Sequence, residues 1–212
     1  MKKFELTSEF VTFLGKTLFR IKALVSFGDV AEGELGGFIE RENNLDQSGD
    51  AWVYGDAWVY GDAQVCGDAQ VFGNARVYGD AWVYGDAQVC GDARVYGDAR
   101  VYGDAQVCGD AQVFGNAWVC GDAQVCGDAQ VFGNAWVQNC RDYSATSCFG
   151  SENRTTTFFR TKDGGISVRC GCFYGTLREF REKVKERHGD SRLAKEYLML
   201  ADLMEFRLSK DE

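Results

Sequence analysis

The single histidine, His188, and nine cysteines carry the most reactive chemistry in this 212-residue chain. A histidine can act as a general base, and a cysteine becomes a nucleophile where a base and a positive setting lower its thiol pKa. His188 precedes Gly189 at the expected end of a helix, where the helix dipole favours a basic side chain. We therefore interpret His188 as a surface or capping residue, with a catalytic base as the alternative.

Most of the cysteines occupy one variable slot of a repeat, beside rows of Asp that would raise a thiol pKa. Cys170 and Cys172 are separated by one residue, and no second pair stands at the spacing of a zinc site. The opening sequence, MKKFELTSEF, lacks the apolar core of a secretory signal. We therefore expect reduced, inert thiols, no metal site and a cytoplasmic location, with a metal or redox role as the alternative.

These cysteine positions belong to a six-residue sequence repeat, which occurs fifteen times over residues 49–138 without an insertion. The first unit of the repeat is GDAWVY. Val recurs at every sixth position from Val53 to Val137, and Ala recurs at every sixth position from Ala51 to Ala135. A unit this short cannot bury its own apolar face, so the units must stack into a solenoid. If Val points inward in a short strand, its neighbours point outward. Gly and Asp or Asn then form the corners, where positive φ and local hydrogen bonds are needed.

The pattern resembles the hexapeptide-repeat family, whose chains form a left-handed parallel β-helix with triangular coils of three units. The resemblance implies eighteen residues per coil, and therefore about five coils with a total height of roughly 24 Å. The expected fold is mainly β: an N-terminal β cap over 1–48, the β-helix over 49–138 and a small α+β module over 139–212. Together the three segments resemble uncharacterised phage and bacterial proteins that carry hexapeptide repeats.

Both ends of the solenoid are expected to be covered. The apolar run LFRIKALVSF predicts strand structure in the N-terminal cap, and Leu45 falls in the alanine phase of the repeat. In the C-terminal segment, KDGG predicts a hairpin turn, and Thr176 with Glu179 forms a capping box for a helix to about Arg187. A second helix, from about Ser191 to Arg207, has one apolar face, formed by Leu193, Tyr197, Leu200 and Met204.

Reading every eighteenth residue gives columns of outward side chains. One column is entirely aromatic, and another combines three tryptophans with an arginine, while Trp52 is expected to point outward on the first face. Five stacked rings form a larger apolar stripe than a monomer normally exposes. The columns therefore predict contact with a second protomer, with a protein partner or with the chain's own C-terminal module. Their residues are Tyr60, Tyr78, Tyr96, Phe114 and Phe132, and Trp82, Arg100, Trp118 and Trp136.

All of the net charge of −9 lies on the repeat, and one corner column consists of Asp50, Asp68, Asp86, Asp104 and Asp122. The sequence pI of 4.7 argues against direct binding to nucleic acid or to an anionic membrane. Turn chemistry alone explains a corner Asp. However, twelve carboxylates over about 24 Å approach the charge density of duplex DNA, one per about 1.7 Å. Mimicry of nucleic acid and cation binding along a column are therefore the alternatives.

These features predict a non-catalytic interaction or scaffold protein without a cofactor, which forms a homodimer or homotrimer and binds a protein partner. In the phage setting that the resemblance suggests, it would inhibit a host defence protein by nucleic-acid mimicry or by ligand sequestration. The alternative is a hexapeptide-repeat acyltransferase that uses acetyl-CoA or another acyl-CoA at a protomer interface. The uninterrupted repeat and the lack of a histidine within it count against that alternative. A third possibility is a structural spike or fibre component.

Overall fold

The computed structural model describes residues 2–209 and contains a three-sided parallel β-solenoid between an N-terminal hairpin and a C-terminal α+β module. The N-terminal segment forms β1 (Phe4–Phe13), β2 (Lys16–Ala23), β3 (Leu35–Ile39) and a short 3-10 helix (Glu42–Asn44). The hairpin β1–β2 is antiparallel, whereas β3 joins the solenoid in parallel.

Fifteen short strands follow along the coils. They are β4 (Trp52–Val53), β5 (Trp58–Val59), β6 (Gln64–Val65), β7 (Gln70–Val71), β8 (Arg76–Gly79), β9 (Trp82–Val83), β10 (Gln88–Val89), β11 (Arg94–Gly97), β12 (Arg100–Val101), β13 (Gln106–Val107), β14 (Gln112–Phe114), β15 (Trp118–Val119), β16 (Gln124–Val125), β17 (Gln130–Val131) and β18 (Trp136–Val137). The first face contains β4, β7, β10, β13 and β16, and the third contains β6, β9, β12, β15 and β18. The second face contains β5, β8, β11, β14 and β17, and β1, β2 and β3 extend it to eight strands.

The strand register confirms the prediction of eighteen residues per coil. Val59 pairs with Val77, and Val77 pairs with Val95, so identical repeat positions lie directly above one another. The first turn is longer, because Ile39 pairs with Val59 and Leu45 with Val65. This segment adds a sixth turn below the five predicted ones. The prediction that Leu45 is in the alanine phase is wrong, because the longer turn moves it into the valine column.

The solenoid core is built from valine and alanine. Every repeat Val from Val53 to Val137 and every repeat Ala from Ala51 to Ala135 is completely buried, which confirms their inward orientation. Among the repeat corners, positive φ belongs to the glycines, and the corner Asp and Asn residues do not adopt it. At Gly61 φ is 73°, and an added Cβ would lie 3.0 Å from the backbone N of Gly79. Glycine is therefore required there by both turn geometry and coil stacking.

At the N-terminal end of the hydrogen-bond ladder, some carbonyl groups of the first repeat coil receive no backbone N–H donor from the turn that precedes it. Each coil donates N–H groups to the carbonyls of the next, as Tyr60 N does to Val77 O at 3.0 Å. Donor side chains complete this end: Lys3 Nζ donates to Ala51 O at 3.0 Å, and Asn44 Nδ2 donates to Ala63 O at 2.9 Å. The N-terminal segment thus satisfies buried acceptors that would otherwise lose hydrogen bonds.

At the C-terminal end of the ladder, N–H groups of the last coil have no following coil to accept their hydrogen bonds. The Thr157 hydroxyl accepts from Gln130 N at 3.1 Å, and Asp142 Oδ2 accepts from Gln138 N at 2.9 Å. The Tyr143 hydroxyl accepts from Cys126 N at 3.3 Å. The C-terminal module therefore closes the open sheet edges, as an end cap of a solenoid must.

The C-terminal module is a four-stranded antiparallel sheet covered by two helices. Its elements are β19 (Tyr143–Phe149), β20 (Arg154–Arg160), β21 (Ile166–Cys170), β22 (Phe173–Thr176), α1 (Leu177–His188) and α2 (Arg192–Leu208). The predicted hairpin is β20–β21, and the capping box of Thr176 and Glu179 begins α1. The sequence interpretation missed β19 and β22. Neither α1 nor α2 is long and apolar enough to cross a bilayer.

Candidate functional site

The aromatic stripe consists of Tyr60, Tyr78, Tyr96, Phe114 and Phe132 on the second face. Consecutive ring centroids lie 4.5 to 4.9 Å apart, with interplanar angles of 4° or less. The coil repeat places each ring directly on the next, so the rings bury one another's faces and present their edges to solvent. All five rings are buried or half-buried, and the stripe exposes less apolar surface than the sequence suggested.

Both ends of the aromatic stripe are covered by the chain itself. At the N-terminal end, Tyr60 packs in a cluster with Leu18 and Phe38 and lies 6.1 Å from the ring of Phe13. At the other end, the ring of Tyr174 lies 4.3 Å from that of Phe132. The C-terminal cover was among the predicted alternatives, whereas the cover by the N-terminal hairpin was not. The middle rings, Tyr78, Tyr96 and Phe114, are left half-exposed.

The tryptophan row on the third face is interleaved with cations. The Arg100 guanidinium lies 5.7 Å from the Trp82 ring and 5.2 Å from the Trp118 ring, and Lys162 Nζ lies 4.1 Å from Trp118. Trp82 is 43% exposed, whereas Trp136 is half-buried. The Nε1 atom of Trp136 is buried and has no hydrogen-bond partner among residues 2–209. These contacts form a cation–π surface that includes a lysine from the β20–β21 turn.

Trp52 does not contribute to an outward surface. Its side chain is completely buried, because Phe4 and Phe27 pack on it with ring centroids at 6.2 and 5.4 Å. The prediction of an exposed Trp52 is therefore wrong. Alternation along the strand directs the ring away from the coil interior, but the N-terminal segment covers this part of the first face.

The first edge is the corner column of Asp50, Asp68, Asp86, Asp104 and Asp122. All five side chains are exposed, and none forms an ion pair within the described part of the chain. The other two edges are interrupted by Asn74, Asn116 and Asn134. Their first carboxylates are also paired, Asp56 with Arg20 at 3.7 Å and Asp62 with Arg41 at 3.1 Å. The first edge is thus an unbroken line of negative charge.

The reactive side chains are not assembled into an acyl-transfer site in the coils. His188 is the last residue of α1, outside the solenoid, and its ring stacks on Tyr197 with centroids 5.6 Å apart. Burial raises the thiol pKa of Cys90 and Cys108, which makes these thiols poorer nucleophiles. Burial, rather than the Asp rows, is the main cause. No group of three or more His, Cys, Asp and Glu is placed to hold a metal ion among residues 2–209.

The sequence interpretation missed a second apolar face on α2. Met199, Leu203 and Phe206 point away from the module and are 71%, 56% and 83% exposed. Their i, i+4, i+7 spacing was readable, but the helix already had an apolar face in the same segment. A helix that is apolar on two sides usually has neighbours on two sides. We call these three residues the outer face of α2.

A comparison with protein-family models matches the repeat to one described as the YdcK beta solenoid repeat. The matching residues are 69–85, 87–103, 93–109, 105–121 and 123–139, all within or at the end of the coils. The match covers less than half of the chain, and it agrees with the observed solenoid. No curated protein matches the chain. The chain is therefore a β-solenoid repeat protein by both comparison and structure.

Proposed function

We propose that this protein is a non-catalytic interaction protein whose acidic first edge binds a basic surface of another protein. The observation that carries the proposal is the unbroken column of five exposed carboxylates, none of them ion-paired within residues 2–209. Stacked coils place neighbouring carboxylates about 4.8 Å apart, where like charges repel. Asn occupies the same corner slot on the other two edges, so the turn does not require a negative charge at this position.

The partner that fits such an edge is a protein with an extended basic groove. Grooves that hold nucleic acid are lined by Lys and Arg and recognise a regular line of negative charge. The continuous valine and alanine core holds the coils in register, so the charges are already arranged before binding. The resemblance to phage and bacterial repeat proteins supports the finer proposal that, in a phage setting, this binding inhibits a host defence protein.

The corner slot offers a matched pair of variants, because Asn already occupies it at Asn74, Asn116 and Asn134. The first-edge variant replaces Asp68, Asp86, Asp104 and Asp122 with Asn. The control variant makes the same replacement at four carboxylates of the other edges, and therefore has the same net charge. The control residues are Asp80, Asp92, Asp98 and Asp110.

The experiment is affinity capture from bacterial extract with each immobilised variant, followed by elution with duplex DNA or with high salt. We expect the wild type and the control to retain a partner that DNA and salt release, and the first-edge variant to lose it. Equal loss from both variants would reduce the effect to net charge and contradict the proposal. Retention of all partners in high salt would also contradict it.

Self-association through the outer face of α2 is a second candidate interaction. The observation that favours it is the strong exposure of Met199, Leu203 and Phe206 on one helix face. We expect light scattering to give a homodimer or homotrimer for the wild type and a monomer after replacement of all three residues with Gln. Leu14→Gln, at the exposed tip of the N-terminal hairpin, is the control. A monomeric wild type would contradict this candidate.

Acyl transfer at a protomer interface has less support. No loop leaves the coils over residues 49–138, and the single histidine lies in the C-terminal module. Titration with acetyl-CoA distinguishes the two classes, since an acyltransferase would bind it and replacement of His188 would weaken that binding. A structural spike or fibre component would instead form a stable trimer without a separable partner.

A further inference from the structure

The C-terminal module contains a cavity of about 320 Å³ that is separate from the acidic edge and from the outer face of α2. It opens between the β19–β20 turn, the β21–β22 turn and the second half of α1. Its volume is at the lower end of the range for small-molecule sites. A ligand of this cavity must therefore be small.

One wall of the cavity is aromatic. The rings of Phe149, Phe173, Phe180 and Tyr197 line it and contact one another with centroids 5.6 to 5.8 Å apart. The Tyr197 hydroxyl accepts a hydrogen bond from Ser151 N at 3.1 Å, which fixes the β19–β20 turn over the wall. Gly150 permits this approach, because its φ is 74° and an added Cβ would collide with the Tyr197 hydroxyl.

The rim of the cavity is basic in a protein that is otherwise acidic. Arg154, Lys183 and Arg187 line it together with His188, against the single carboxylate of Glu152. Lys183 is paired with Glu186 at 2.8 Å, but Arg154 and Arg187 have no ion pair or side-chain hydrogen bond within the described residues. The helix C-terminus explains a basic residue at Arg187, but Arg154 comes from the sheet, where no helix dipole acts.

We propose that this cavity binds a small anion that carries a planar aromatic or heteroaromatic ring, the chemistry of a mononucleotide. The ring would pack against Phe149 and Phe173, the two half-buried rings of the wall, where base–aromatic contacts are favourable without base-specific hydrogen bonds. The anionic group would accept charge-assisted hydrogen bonds from Arg154 and Arg187. The proposal is independent of the acidic edge, because it concerns a different part of the chain with the opposite charge.

Calorimetric titration with four probes tests the ligand chemistry. AMP has both features, adenosine lacks the anion, inorganic phosphate lacks the ring, and indole-3-acetate replaces phosphate with carboxylate. We expect AMP or indole-3-acetate to bind more tightly than adenosine and phosphate, and the tighter of the two shows whether the site prefers the phosphate or the carboxylate probe. The proposal is overturned if neither binds, or if adenosine or phosphate alone binds as tightly.

Variants then locate the site. Arg154→Gln and Arg187→Gln should each weaken binding about tenfold or more, as expected for loss of a hydrogen bond between charged groups. Arg178→Gln, a substitution on the same helix at a residue outside the cavity, should leave binding unchanged. Unchanged affinity in both cavity variants would overturn the assignment.

A measurement on the wild type avoids any effect of substitution on folding. Cys172 is exposed and lines the cavity, whereas Cys140 is exposed and lies elsewhere. We expect the bound probe to slow alkylation of Cys172 by iodoacetamide, measured peptide by peptide, without protecting Cys140. Equal rates at Cys172 with and without a saturating probe would contradict binding in this cavity.

Discussion

Asp142 and Arg160 form a 3.0 Å ion pair at the point where the last coil meets the C-terminal sheet. Asp142 is buried, and its second carboxylate oxygen accepts hydrogen bonds from the backbone N of Gln138 and of Asn139. Arg160 also donates to Leu208 O at 2.7 Å, at the end of α2. One pair of side chains thus connects the solenoid, the sheet and the last helix.

Replacing Arg160 with Gln should destabilise the protein, because it leaves the buried Asp142 carboxylate without its cation. We expect a loss of about 2 to 3 kcal/mol in the free energy of unfolding, measured by urea denaturation. Arg178→Gln, at an exposed ion pair, is the matched control and should change stability by less than about 0.5 kcal/mol. A similar loss of stability in both variants would show that the Asp142–Arg160 ion pair contributes no more than an exposed ion pair does.

Glu40 should make the attachment of the N-terminal hairpin sensitive to acid. Burial acts to raise the pKa of its carboxyl group, but hydrogen bonds from Lys16 and Gly61 N hold the pKa below the ordinary value of 4.5. A lowered pKa in the folded state means that the stabilisation is present above pH 4.5 and is lost as pH falls through the folded pKa.

Glu40→Gln should therefore cost about 1 kcal/mol at neutral pH and show a smaller decrease in stability between neutral and acidic pH than the wild type. Thermal unfolding at a series of pH values measures this difference. Glu5→Gln, on the exposed part of β1, should behave as the wild type does. Parallel curves for Glu40→Gln and the wild type would contradict the prediction.

Two glycine substitutions separate backbone strain from coil stacking. Gly91 and Gly127 both have positive φ, 71° and 65°, so alanine is strained at either position by about 1 to 2 kcal/mol. At Gly91 an added Cβ would also lie 3.0 Å from Gly109 N, whereas at Gly127 it would meet no atom within 4 Å. We expect Gly91→Ala to be less stable than Gly127→Ala by a further 1 to 3 kcal/mol, roughly the cost of overpacking. Equal melting temperatures would refute the stacking requirement.

Val95 lies in a central coil, and its truncation to Ala should cost about 2 kcal/mol, the loss of two buried methyl groups plus a small cavity. Gln124→Ala, at an exposed slot on the first face, should change the free energy of unfolding by less than about 0.5 kcal/mol. Chemical denaturation measures both. A negligible effect at Val95 would mean that neighbouring coils relax into the space.

The coils could be predicted in detail, and the interaction surfaces only in part. With three units per coil, as the family resemblance implied, the strict period of six places equal side chains in columns, so the positions of Tyr78, Tyr96 and Phe114 follow from counting. Whether a column is covered does not follow from counting, as the burial of Trp52 by Phe4 and Phe27 shows. The capping box at Thr176 was readable because its hydrogen bonds are local.

The cavity of the C-terminal module was not predictable, because its lining comes from all four strands and both helices of the module, which carry no common pattern. Arg154 and Arg187 are far apart in the sequence, and only the packing of α1 on the sheet brings them to one rim. The outer face of α2 is different, since the spacing of Met199, Leu203 and Phe206 was visible and was overlooked.

By itself, the sequence determined the coil: a six-residue period, valine and alanine in the core, and glycine at corners that need positive φ. These requirements are local or periodic, so the same residue types recur in every unit. The tertiary structure decided how the solenoid ends, because the orphaned groups of the first and last coils need partners from distant segments. Lys3 reaches Ala51, and Thr157 reaches Gln130, through contacts that no repeat encodes. These contacts are stabilising because a buried backbone group without a hydrogen-bond partner costs free energy.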